Sequence, residues 1–536
     1  MKNIITKTVY IILLACLFSS CSDNVLKEVP KTFYAPENLY INTAGFDVAL
    51  NAVYTLVRGE LSGYRREPAM FTGTDVSWSI FSHPDVVGFQ SYGGTLTPNL
   101  PIFSDWWNPN YQGISWANLI IEKAEDPGVK WTNSTDKARV LGEARFFRGY
   151  FHNQLTVLFG DVPIADAYYS EPKLDFKRSP KKDVLEFVKN DLIYAAANLP
   201  SDPTKLVRGK LTQWAAKQQL AEVYLETGEY ALSVNMSKDI INNSPYKLMT
   251  SRFGPDASNP KGNVFHDLFL ENNVDFNDGN KESIWTIEQK YNTDGGDQSN
   301  WMRRCHVCYY QRVPGLQLAD SLGGRGVGYI NTTKAYLDLY EANDIRNANN
   351  NIRRKWYYNY EGNLPAGKKI GDLVVLDPND PLYIQHRDID LYACTTKWDF
   401  GAIARGGGST FVDSPKDYSK MRLAETYLLL AEGQMLSGDN VSAAATLTTL
   451  RARSNASAIT SAQVNMDFIL DERARELYAE EFRRYTLFRT GLFLKRVRAM
   501  NPQVSGAVTE RDNLFPIPQS VIDLNTQAVI AQNPGY

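Results

Sequence analysis

From about residue 43 to 245, apolar positions recur at three- and four-residue steps. Val140, Leu141, Ala144, Phe147, Phe151, Leu155 and Leu158 fall on one face of a helix. Gly160-Asp161-Val162-Pro163 stops it. Ser179-Pro180 opens the next helix, with Val184, Phe187, Val188, Leu192 and Ala195 on its inner side and Leu199-Pro200 at its end. Ala216, Leu220, Ala221, Tyr224 and Leu225 mark another, closed by Gly228, and one more helix runs over 230–241. Between about 250 and 415 this periodicity is mostly lost apart from 333–340. Gly, Asn, Asp and Pro are dense there, and 283–288 and 372–376 read as short strands. Helices resume over 419–436, 441–451 and 467–489, and from Leu514 the chain is proline-punctuated coil.

Ala221-x-x-Tyr224-x-x-x-Gly228 has the same spacing as Ala431-x-x-Gln434-x-x-x-Gly438. Small residues at such steps let two helices approach before a tight turn, as in tetratricopeptide units. The pattern predicts a mainly α chain, a tetratricopeptide-like helical scaffold carrying a loop-rich irregular insertion. It divides into an N-terminal helical part (43–245), the insertion (250–415) and C-terminal helices with a tail (419–536).

The first twenty residues read differently. Lys2 and Lys7 precede an apolar run over 9–18, then Ser19, Ser20 and Cys21, which is the layout of a secretory signal. The run is too short to span a membrane. A cysteine at the cleavage point is similar to a bacterial lipoprotein signal, which makes Cys21 the expected lipid-bearing N-terminus and 21–536 one tethered unit. Cleavage at the alternative Cys16 leaves too short an apolar run. Ser22-Asp23 resembles the start of surface-exported lipoproteins. Cys305, Cys308 and Cys394 then remain, which in an oxidising compartment allows one disulfide and one free thiol.

Lysine plus arginine number 57 against 60 acidic residues, so there is no basic excess to offset phosphates and nucleic acid is set aside as a partner. The 30 Tyr and 10 Trp outnumber the 24 Phe, so many rings carry a polar handle suited to a half-exposed binding surface. No nucleophilic or acid–base motif stands out, and enzymatic function is not expected. Cys305-His306-Val307-Cys308 is a lone half-site for zinc. Gly323-Gly324-Arg325-Gly326-Val327-Gly328 lacks the spacing of a phosphate cradle. No cofactor is expected; Asn273, Asp275, Asn277 and Asp278 offer oxygen ligands of calcium type, but no EF-hand glycine or distal glutamate follows in register. Asp471 with Arg475 and Glu480 with Arg484 read as i,i+4 pairs on a helix surface.

Two aromatic, polar-laced loops remain. One runs from Phe71 through Asp75 and Trp78 to Phe81 and Tyr92; the other holds Trp301, Met302 and Arg303, with Tyr309-Tyr310 behind the cysteines. A sugar presents an apolar C–H face and a hydroxyl rim, so its site combines flat rings with a few placed donors and acceptors. Trp78, Trp301 and Tyr309 are the candidate rings, and Asp75 and Arg303 the candidate hydroxyl partners. Trp106, Trp107, Trp285 and Trp398 lie on helices or strand-like runs and are assigned to the core.

Several ordered blocks resemble the SusD/RagB family of Bacteroidetes outer-membrane lipoproteins. Trp106-Trp107 with Tyr111, Ile114, Ala117, Asn118 and Ile120-Ile121 is one. Gly142-Glu143-Ala144-Arg145-Phe146-Phe147-Arg148-Gly149-Tyr150, followed by Leu158-Phe159-Gly160-Asp161-Val162-Pro163, is the most specific. Arg422-Leu423-Ala424-Glu425, Leu429-Leu430-Ala431-Glu432 and Leu450-Arg451-x-Arg453 follow. Next comes Glu472-Arg473-x-Arg475-Glu476-Leu477-x-x-Glu480-x-x-Arg483, where Glu481, Arg484 and Thr486 depart from the family pattern. Leu514-Phe515-Pro516-Ile517-Pro518 and Gln532-Asn533-Pro534-Gly535-Tyr536 close the chain. The resemblance implies paired tetratricopeptide-like helices cradling a loop-rich half, with ligand held by loops from the early region and the insertion. It also implies a lipid-anchored outer-membrane protein facing the cell exterior. Its expected role is to capture a glycan and pass it to a SusC-like TonB-dependent transporter, without catalysis. A peptide-binding lid of a RagA-like transporter is the alternative.

Overall fold

In a computed structural model, residues 36–61, 66–79, 84–290, 293, 296, 300–401 and 414–536 are described. Cys21, the whole signal segment and Phe81 lie outside them.

The N-terminal part is helical: α1 (Thr43–Arg58), α2 (Pro101–Ala124), α3 (Asp136–Phe159), α4 (Lys181–Asn198), α5 (Gln213–Glu226) and α6 (Tyr230–Asn243). The apolar stripe read on α3 is buried from Val140 to Leu158. Trp285 is packed by Tyr54 of α1 and by Phe146, Phe147 and Tyr150 of α3, with ring centroids 5.6–6.5 Å away. Trp106, Trp107 and Trp398 are buried as well.

Trp285 lies on β2 (Ser283–Ile287), which pairs antiparallel with β6 (Tyr418–Arg422). β2 lies within the first part of the insertion and β6 just past its end, so main-chain hydrogen bonds close the loop of chain between them. The helix expected from residue 419 therefore starts later, as α8 (Leu423–Leu436), because β6 takes the first residues into the ladder. Inside the insertion, β1 (Ser77–Trp78) of the early region pairs with β3 (Asn331–Thr332), and β4 (Ile352–Arg353) pairs with β5 (Cys394–Thr395). The expected helix over 333–340 is one turn, Lys334–Leu337, and the strand read at 372–376 is a single bridge, Tyr357 to Leu373. The outer insertion has its own small core of Val307, Cys308, Tyr310, Val313, Leu316, Trp356, Tyr392 and Cys394. Cys305, Cys308 and Cys394 are all buried free thiols.

The two spaced repeats meet in space. Gly228 and Gly438 both take left-handed backbone (φ 78° and 82°) in the turns that join α5 to α6 and α8 to α9 (Asn440–Ala452). Ala221 and Leu225 of α5 then pack on Leu429 of α8. Gly433 of α8 faces α6 so closely that a Cβ there would lie 3.0 Å from Val234 Cγ2.

The C-terminal helices are α10 (Met466–Leu477), α11 (Arg483–Arg489), α12 (Phe493–Met500) and α13 (Gln519–Leu524). The single helix expected over 467–489 is broken, because Tyr478 leaves helical backbone and Ala479 takes φ 61°. The break removes the expected Glu480–Arg484 pair, whereas Asp471 and Arg475 stay together on α10 and are drawn to other partners. Glu480 binds Arg422 and Lys397, Arg484 donates to the carbonyls of Ala69 and Thr72, Asp471 binds Arg496, and Arg475 binds Glu472. These belong to a buried ionic network that ties the insertion to the helices. Arg346 binds Asp344, Glu472 (2.8 Å) and Glu476 (3.1 Å), Arg422 binds Glu282 and Glu476, and Arg453 also binds both. Burial works to raise the Glu472 carboxyl, but Arg346, Arg475 and Arg451 outweigh it and hold it down at about 2.

Candidate functional site

The two aromatic loops are joined by main-chain hydrogen bonds. Trp78 sits opposite Asn331 in the β1–β3 pair, and its indole N–H donates to the Thr332 carbonyl (3.3 Å). The chain running into β3 then bonds to the short helix α7 (Met302–His306, between β2 and β3 in sequence) and its exit: the N–H groups of Val327, Gly328 and Ile330 donate to the carbonyls of Arg304, Val307 and Cys305. Tyr309 N–H reaches Ile389 O (3.4 Å), and the Asn331 amide reaches Asp388 O (2.6 Å). Trp78, Trp301 and Tyr309 thus stand on one bonded platform at the junction of the early region and the insertion. All three rings are half-buried.

Two residues named with them are fully buried. Asp75 has no exposed surface, and its carboxylate accepts two bonds from Arg483 (2.8 and 2.6 Å) and one from Arg496 (3.0 Å). Burial acts to raise its pKa, but the two guanidiniums prevail and hold it below the usual aspartate range. Arg303 is likewise fully buried, with its guanidinium 4.0 Å from the Phe400 ring centroid. Asp75 is thus committed to an ion pair inside the protein.

The arginines that do accompany the rings are others. The Arg304 guanidinium lies 4.1 Å from the Trp301 ring centroid, and that of the exposed Arg312 lies 3.9 Å from Tyr309. Both follow their ring by three residues. That spacing was visible in the sequence, and on a helical turn it puts two side chains on the same side. Arg304 Nε is buried without a hydrogen-bond partner among the described residues. The arrangement suits a ligand that offers an apolar face to a ring and an oxygen to a guanidinium.

The other motifs carry no such geometry. Asp278 forms a two-bond pair with Arg208 (2.9 and 2.7 Å) and Asp275 caps a turn, while the Asn273 amide donates to Asp267 O. Arg208 supplies the positive charge that calcium would bring. Cys305 Sγ donates to Glu67 (3.4 Å), and His306 packs edge-on against Phe71 and Tyr478. Burial and Lys397 push the His306 pKa down to about 3, so it is a neutral core residue. No group of three or more His, Cys, Asp or Glu among the described residues is placed to hold a metal, and no helix among them is long and apolar enough to cross a membrane.

Comparison with known proteins agrees with the fold. Residues 281–536 match the model of the SusD family, and residues 44–225 match the model described as starch-binding associating with outer membrane. The SusD-like protein P2 of Formosa agariphila is 25% identical over 563 residues, covering 99% of each chain. The starch-binding protein SusD of Bacteroides thetaiotaomicron is 23% identical over 490 residues, covering 80% of each. Among solved structures, a laminarin-binding SusD-like protein superposes with a TM-score of 0.70 at 22% identity, over 93% of this chain and all of the other. The two models between them take in most of the N-terminal helical part, the insertion from residue 281 and all of the C-terminal part, full-length relatives span the whole chain, and the helix pairs meet as the sequence blocks imply: the chain belongs to the SusD/RagB family.

Proposed function

We propose that this protein is a non-catalytic glycan-binding lipoprotein of the outer-membrane surface. It captures oligo- or polysaccharide on the platform of Trp78, Trp301 and Tyr309 and passes it to a SusC-like TonB-dependent transporter. The observation that carries this reading is family membership along the whole length, among relatives named for binding starch and laminarin. The platform supports it. A pyranose stacks its C–H face on a half-exposed ring, while Arg304 and Arg312 donate to its hydroxyls. Asp75 is fully used by Arg483 and Arg496 and is not free to act as a catalytic carboxylate. Lipidation at Cys21 supplies the anchor in this reading.

Electrophoresis of the purified chain through gels containing single polysaccharides tests the binding step. Retardation by at least one glycan, with unchanged glycan length after incubation, is the expected result. No retardation across the panel, or shortened products, contradicts it. Hand-off is tested by isolating the anchored protein from outer membranes: a TonB-dependent barrel is expected to accompany it, and its absence contradicts that part.

A further inference from the structure

A second concavity lies on the helical part, away from the aromatic platform. It has a volume of about 530 Å³ and is walled by Trp107 and Tyr111 of α2, by Tyr169 and Phe176 of the segment following α3, and by Leu524 and Ile530 near the C-terminus. The bonds that build it are specific. Tyr111 Oη donates to Pro163 O (2.7 Å), and Asn118 Nδ2 donates to the carbonyls of Ala165 (3.0 Å) and Ala167 (2.9 Å). The Asn525 amide clasps Phe176 through both its N–H and its C=O, and Gln527 N–H reaches Leu174 O. The 163–176 segment is therefore pinned at fixed points to α2 and to the C-terminal segment.

The chemistry of the wall is that of a ring-binding site. Four aromatic side chains face the space, and Tyr169 stands 39% exposed with its ring edge-on to Phe176 (5.8 Å, 84°). Lys173 Nζ bridges the two rings at 5.4 and 5.5 Å. Glu171 and Lys173 place opposite charges at the same rim, where Lys173 also pairs with Asp175 (2.6 Å), and Ser115 adds a hydroxyl to the lining. A fatty acid gains nothing from a carboxylate and an ammonium side by side, whereas a polyhydroxyl ring bonds both and lays its C–H face on the aromatics.

We propose that this cavity is a second saccharide site, which takes one or two pyranose rings independently of the loop platform; the identity of the ligand rests on the glycan-binding reading above. The test is calorimetric titration of the full chain with maltose, laminaribiose, cellobiose and xylobiose, repeated with Tyr169→Ala, Tyr169→Phe and Trp301→Ala. Tyr169 is exposed, so its removal leaves the fold intact, which the unfolding temperature checks. At least one disaccharide is expected to bind wild type, to weaken tenfold or more in Tyr169→Ala, and to be unaffected by Tyr169→Phe or Trp301→Ala. Loss in Trp301→Ala alone overturns the second site and leaves the platform standing. Loss in Tyr169→Ala alone upholds the second site even if the platform binds nothing. Absence of binding by all four sugars overturns it.

Discussion

Replacing Asp75 by Asn separates a structural carboxylate from a ligand contact at the very position where the sequence invites confusion. In the structure the Asp75 carboxylate is buried and takes three charge-assisted bonds from Arg483 and Arg496. An asparagine of the same size cannot accept them as a charge and leaves two buried guanidiniums with less compensation; breaking a buried pair this way costs about 3–5 kcal/mol. Unfolding entropy near 2.1 cal/mol/K per residue over roughly 500 residues is ~1 kcal/mol/K, so the variant is expected to melt about 3–5 °C lower if it unfolds as one unit. Scanning calorimetry at pH 7 reads this directly, and glycan affinity at 25 °C is expected to stay within twofold of wild type. A melting temperature within 1 °C of wild type, together with lost glycan affinity, would refute the reasoning and return Asp75 to the ligand.

Three further outcomes follow from the same structure. Burial raises the Glu226 carboxyl to about 7 against an ordinary 4.5, with Lys181 only partly offsetting. A folded pKa above the unfolded one makes a penalty that is absent below pH 4.5, grows as pH rises and is complete above 7, at about 3 kcal/mol. Glu226→Gln is therefore expected to raise the melting temperature at pH 8.5 and not at pH 4.5; an equal shift at both values contradicts the assignment. Glu476→Ala strips Arg346, Arg422 and Arg453 of a shared partner. It is expected to cost about 3–5 kcal/mol and to make the 250–415 insertion cleavable by protease before the helices; uniform resistance contradicts a tie between them. Gly433→Val adds two methyls beyond a Cβ that already sits 3.0 Å from Val234, and overpacking of about 1–3 kcal/mol is expected in chemical denaturation. An unchanged midpoint would show that α6 and α8 do not meet there.

The scaffold was legible because its signals are local. The α3 stripe, the Gly160 stop and the Gly228 and Gly438 turns are each decided within one or two helical turns, and each stands where the sequence placed it. The resemblance to the SusD/RagB family holds over the length of the chain. What failed was the reading of charge. Glu480 and Arg484 have helix-surface spacing, but the left-handed Ala479 splits their helix; Asp471 and Arg475 stay on one helix, yet Arg496 takes the first and Glu472 the second. Asp75 lies among aromatics in a loop-like run, while its partners Arg483 and Arg496 are some 400 residues away, which no local pattern reveals. A cue was present in the arginines of 473–498, which are too many for the nearby acids to neutralise on one exposed helix face. The second cavity was illegible for the same reason: α2, the 163–176 segment and the C-terminal tail contribute to it from three distant places.

The central claim is that this chain binds glycan on the loop platform. Calorimetric titration of the full chain against starch, laminarin, xyloglucan and a peptide mixture, with a Trp78→Ala, Trp301→Ala double variant of verified fold beside it, tests that most directly. The account predicts saturable binding of one polysaccharide by wild type, an affinity at least tenfold weaker in the double variant, and no heat of hydrolysis. Equal affinity in the two proteins, or binding of peptide alone, would contradict it.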